Sequence, residues 1–180
     1  MLMLALTAFL FPLPSRDYPD SAACGQLPQS LLTYIARELP GYEPVPAMSV
    51  DTGWRGERPP SDDPSGGPVC LKGDFNGDHL TDFVLFVHKG NTVDLIAFHQ
   101  SKTGYRHYRA WPRHPLAYKP PLHMAIFRVP PGTLHGGGFG DAPEETVRTT
   151  AHSVELVFFE TSSVTLYWRN GQYHALWTSD

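Results

Sequence analysis

Phe83-Val84-Leu85-Phe86-Val87-His88, then Lys89-Gly90-Asn91-Thr92, then Val93-Asp94-Leu95-Ile96-Ala97-Phe98-His99 is the stretch on which the fold turns. Two runs of strand length, rich in aromatic and β-branched residues, are separated by a Gly-Asn turn, the pattern of a β-hairpin. Outward toward the C-terminus the same pattern recurs. Tyr105 to Trp111 reads as a third strand after Lys102-Thr103-Gly104, residues 112–122 as a Pro-rich connector, and Met124 to Val129 as a strand ended by Pro130-Pro131-Gly132. Ser153 to Phe159, Ser163 to Trp168 and Tyr173 to Trp177 complete the set. Between the last two, Arg169-Asn170-Gly171-Gln172 carries the Asn-Gly pair suited to the left-handed positions of a type I′ turn.

Outward toward the N-terminus the period changes. Leu27, Leu31, Leu32, Ile35, Ala36 and Leu39 recur at helical spacing, with Pro28 in the first turn and Pro40-Gly41 as the stop. Tyr42 to Val50 alternates in part and reads as extended. Residues 51–68 hold turn formers and almost nothing apolar, and read as a loop. The expected class is therefore α+β: one N-terminal amphipathic helix packed on a mostly antiparallel sheet of about seven strands, built as meander and hairpins.

Composition narrows the function. With 180 residues, 41% hydrophobic, 12% aromatic and 18% charged, the chain has the make-up of a folded domain rather than a disordered one. A net charge of −4 leaves no basic footprint for nucleic acid, and the 14 basic residues form no polybasic run. Met1 to Phe11 is an apolar stretch too short to span a membrane but suited to the core of a secretory signal, although no Lys or Arg precedes Arg16. Residues 1–23 are thus expected to be a leader, with cleavage near Ala22-Ala23, and residues 24–180 a single exported domain with no transmembrane span. The alternatives are a buried N-terminal element, or a lipoprotein box at Ser21-Ala22-Ala23-Cys24. The two cysteines, Cys24 and Cys70, are expected to pair in an oxidising compartment, unless Cys24 is lipidated. Two cysteines make no zinc site alone.

One segment proposes chemistry. Asp74-Phe75-Asn76-Gly77-Asp78-His79-Leu80-Thr81-Asp82 places side-chain oxygens at alternate positions and again at 82, just before the first strand of the hairpin. A hard cation takes six to eight oxygen ligands, and Asp74, Asn76, Asp78, the Leu80 carbonyl and Asp82 would supply about five. The segment resembles the calcium loops of FG-GAP and VCBS-type repeats, Asp-x-Asn-x-Asp-Gly-x-x-Asp leading into a strand. The resemblance spans about Gly73 to Arg109 and implies calcium as the cofactor of a small secreted bacterial-type β protein. His79 stands where that pattern has Gly, a position that often needs positive φ. An EF-hand fits worse, because its twelfth position is Leu85 rather than Glu. The competing reading is an ion-free turn that satisfies its own backbone through Asx-turns.

Other motifs carry less. His135-Gly136-Gly137-Gly138-Phe139-Gly140 looks like the oxyanion-hole segment of hormone-sensitive-lipase-type esterases, but no Gly-x-Ser-x-Gly supplies a nucleophile. It reads as a glycine loop. The histidines include no H-E-x-x-H, and His99/His107 and His114/His123 fall on separate elements. Asp141, Glu144 and Glu145 read as a solvated cluster. Tyr167, Trp168, Tyr173 and Trp177 straddle the final hairpin and read as cross-strand pairs, or as a partner-binding face. The functional expectation is a non-enzymatic exported domain that binds an unknown protein or envelope partner, as an inhibitor or accessory protein. The alternative is a hydrolase using His and carboxylate residues.

Overall fold

The central hairpin is apolar over consecutive residues, Phe83–Val87 and Leu95–Phe98, rather than at every second residue, because both its faces are covered. The computed structural model describes residues 24, 26–51, 67–111, 113, 115–137, 144–159 and 161–179. The expected leader 1–23, most of the loop 51–68, His114 and Asp141 lie outside these. Strand β3 (Asp82–Lys89) pairs antiparallel with β4 (Thr92–Ser101), Phe83 opposite Phe98 and Phe86 opposite Leu95. The outer edge of β3 is shared by two short strands, β1 (Glu43–Pro44) and β2 (Cys70–Gly73). The outer edge of β4 is shared by β5 (Gly104–Arg109) and β6 (Leu116–Ala117). These six strands form the first sheet.

Successive strand residues point to opposite faces, and the aromatic contacts identify what covers each. The helix α1 (Gln29–Glu38) lays Leu31 and Ile35 into the core, and its Tyr34 ring meets Phe98, Tyr105 and His107. His99 and Tyr108 instead meet Trp168 of a second sheet, with centroid separations of 4.5 and 4.6 Å. That sheet runs β12 (Gln172–Ser179), β11 (Ser162–Arg169), β10 (Ser153–Phe158), β7 (Met124–Val129). Its far face is covered in turn by a two-stranded hairpin, β8 (Gly132–Gly136) with β9 (Glu145–Thr149), through Leu134, Val147, Tyr167 and Leu176. The architecture is a β-sandwich with a helix on one outer face and a hairpin on the other.

This corrects the α+β expectation. The structure is mostly β, 55% strand against 9% helix, and the single short helix stands beside several antiparallel sheets. The helix expected from Leu27 to Leu39 is cut to ten residues, with Pro28 as its N-cap. Twelve strands in three sheets replace about seven in one, among the described residues. The five unforeseen strands (β1, β2, β6, β8, β9) are two to five residues long and border Pro- or Gly-rich sequence. Pairing fixes them, not local propensity: β1, β2 and β6 pair with longer strands, and β8 and β9 with each other. The Cys24–Cys70 disulfide is formed, with Cα atoms 5.6 Å apart, and ties the segment before α1 to β2. Among the described residues no helix is long and apolar enough to cross a membrane.

Candidate cation loop and the groove beside it

The 74–82 loop joins β2 to β3, and most of its side-chain oxygens accept from its own backbone. Asp74 Oδ1 accepts the Gly77 N–H at 2.7 Å and Oδ2 accepts the His79 N–H at 2.9 Å. Asn76 Oδ1 accepts from Asp78 N, and Asp78 Oδ1 accepts from Leu80 N, both at 2.9 Å. The Asn76 amide donates to Asp78 Oδ2 at 3.0 Å. These are nested Asx-turns, and they need left-handed backbone at Gly77 (φ 84°) and His79 (φ 67°). His79 therefore adopts the conformation for which the repeat pattern keeps glycine.

Two anchors hold the loop to the body. Phe75 is fully buried and packs on the His152 ring, while the His152 backbone N–H and its Nδ1–H both donate to the Asp74 carbonyl, at 2.9 and 3.1 Å. Asp82 is the second anchor. Its side chain is fully buried, Oδ2 accepting the Phe75 N–H at 2.9 Å and Oδ1 the Gln100 N–H at 2.8 Å. Burial, outweighing these two hydrogen bonds, raises its pKa from 3.8 to about 6, and the charges of Asp78 and Asp74 push the same way. His99 on β4 is buried as well, at 4% exposure. His99 Nε2 shares a 3.0 Å hydrogen bond with the Tyr173 hydroxyl, and burial lowers the His99 pKa from 6.5 to about 4.

The donor chemistry of Asp74, Asn76 and Asp78 fits a hard cation. All three supply oxygen, and an oxygen that accepts one N–H keeps a further lone pair. Asp82 fits differently. Both its oxygens face interior backbone, so it closes the loop rather than presenting itself with the other three. Among the described residues no three His, Cys, Asp or Glu side chains gather as a metal-holding group, so Asp74, Asp78 and Asp82 are not brought together as three carboxylate ligands.

Beside the loop lies an open groove of about 450 Å³. Asn76, residues 146–151 and Tyr167, Trp168 and Arg169 line it. No single stretch of sequence announces it, because three separate segments build it. No protein-family model, curated protein or solved structure matches the chain.

The remaining sequence candidates are placed as follows. His99 and His107 sit on opposite faces of the first sheet, one against Tyr173 and the other bonded to Tyr34, so they do not converge. His123 lies 3.3 Å from Asp51. His135 and Gly136 belong to β8, where Gly136 lets the strand approach β12; residues 138–140 lie outside the described set. Glu144 and Glu145 are exposed. Trp168 and Tyr173 are directly opposite each other, with rings 5.2 Å apart, but they turn inward onto His99 rather than outward as a display. His99 and Tyr173 form an imidazole–phenol pair, Asp82 bonds only backbone N–H groups, and all three are at most 6% exposed, which leaves a hydrolytic substrate no approach to them.

Proposed function

We propose that this chain is a non-enzymatic exported domain whose 74–82 loop binds calcium in a structural role, and that it acts by binding a protein or envelope partner. The observation that carries the reading is the loop itself, a nest of Asp74, Asn76 and Asp78 oxygens held in place from both ends by His152 and Asp82. Asp74, Asn76, Asp78 and the Leu80 carbonyl would hold the ion. When bound, it would neutralise the loop carboxylates and stiffen the β2–β3 connection. Asp82 keeps β4 fastened to the loop through the Gln100 N–H. The FG-GAP and VCBS resemblance supports the same site, and the Cys24–Cys70 disulfide supports an oxidising destination. The polar nest under the loop is too deeply buried to serve hydrolysis, which favours binding over catalysis.

The test is thermal unfolding with calcium and with a chelator. A ligand at 100 times its Kd adds about 2.7 kcal/mol, which for a domain of this size raises Tm by roughly 5–10 °C. Asp78→Ala should abolish that rise. An identical midpoint with calcium and with chelator removes the cation from the proposal.

A further inference from the structure

The groove beside the loop carries features that neither the cation nor the core explains. Among the described residues its charged lining residues are Arg148 of β9 and Arg169 of β11, in a chain whose net charge is −4. Both residues are exposed, and among the described residues neither forms an ion pair with a carboxylate. Arg148 lies on β9, which among the described residues pairs with β8 alone, so its other edge has no strand partner. Tyr167, 6% exposed, and Trp168, half-buried against His99, border the groove, and Thr149 and Asn76 add polar groups.

We propose that this groove binds an extended acidic peptide segment of a partner protein by adding it as a strand to the free edge of β9. Main-chain hydrogen bonds to a sheet edge supply affinity and alternate side chains supply selectivity. Here the alternate positions that turn into the groove meet Arg148 and Arg169, and a guanidinium takes a carboxylate in a two-pronged fit. Residues 146–149 set the length, about four residues of extended chain at roughly 3.3 Å each. A sugar acid would satisfy the arginines but not the strand edge, so the peptide accounts for more of the site. The inference rests on the partner-binding reading and not on a cation in the loop.

The experiment titrates the whole domain calorimetrically with a blocked pentapeptide of alternating glutamate and valine. Its glutamine–valine counterpart and a tetragalacturonate serve as the other two probes. The glutamate peptide should bind at least tenfold more tightly than the glutamine peptide, and Arg148→Gln with Arg169→Gln should weaken it at least tenfold. Amide exchange should slow over residues 146–149 on binding, a readout that simple charge attraction would leave unmoved. Equal affinity for the two peptides, an unaffected double variant, absent protection in β9, or binding of the galacturonate without the peptide each overturns the proposal. Near-ultraviolet circular dichroism establishes that the double variant is folded. Loss of peptide binding with the calcium effect intact sinks this inference alone, and the reverse result sinks the cation loop alone.

Discussion

Asp82 on β3 and His99 on β4 are both buried, and burial moves their proton affinities in opposite directions. Asp82 titrates near 6 in the fold against 3.8 in the open chain, so the fold favours its protonated form. Its contribution is full below pH 3.8 and is lost as pH rises through 6. His99 titrates near 4 in the fold against 6.5, so its contribution is full above pH 6.5 and is lost as pH falls toward 4. At about 1.4 kcal/mol per pH unit, each amounts to about 3 kcal/mol. The windows overlap and the signs oppose, so the two residues offset each other in the parent. Asp82→Asn should therefore lose about 3 kcal/mol more stability than the parent between pH 7 and pH 4. His99→Gln should gain about as much relative to the parent over the same range. Denaturant unfolding at a series of pH values measures this, and only the slope with pH matters, since both changes also disturb hydrogen bonds. Two variants whose stability runs parallel to the parent's would show that neither group titrates as its burial dictates.

Between elements, the closest fit is where β8 crosses β12. A Cβ on Gly136 would stand 2.5 Å from Leu176 Cδ1 and 3.2 Å from the Trp177 carbonyl oxygen. Strand propensity alone predicts that Gly136→Ala stabilises by about 0.5–1 kcal/mol; overpacking predicts a loss of about 1–3 kcal/mol. Packing should win, because the backbone oxygen cannot move aside as the leucine can. Leu176→Ala opens the space, so the double variant should be more stable than the sum of the single changes allows, by at least about 1 kcal/mol. A purely additive cycle would place the strain elsewhere. This contact also explains what the sequence could and could not tell. The β3–β4 hairpin was legible because burial on both faces writes an unbroken apolar run. Leu134 and Val147 are single apolar residues in Gly- and Thr-rich surroundings, and they become strand residues only when they meet Tyr167 and Leu176. The loop was legible from its alternating oxygens, and the positive φ at position 79 followed from the pattern. That Asp82 turns inward was not, since its partner is the Gln100 amide on the next strand. The groove drew on residues 76, 146–151 and 167–169, too far apart in sequence to be read together.

At the scale of the whole molecule, the first sheet depends on a strand that is weak by itself. β2 has four residues and a single neighbouring strand, β3. Its start is bonded to Cys24 and its end runs into the loop that Asp82 closes. The second sheet has no such dependence, because β10, β11 and β12 are six to eight residues long and pair directly in sequence. Stability is thus expected to be uneven, lowest where short elements are pinned by cross-links. Cross-linking residues 46 apart removes about 4 kcal/mol of unfolded-chain entropy, so Cys24→Ser with Cys70→Ser should lower Tm by roughly 8–16 °C. The second expectation distinguishes a local role from a global one. Under native conditions, amide exchange in the double variant should quicken first in α1 and β2, which the bond joins. Amides of β11 and β12 should become faster only to the extent that global unfolding does. Hydrogen exchange followed by mass spectrometry resolves these segments. Equal acceleration in both sheets would mean that the disulfide acts on the unfolded chain alone and that β2 is held by its pairing with β3.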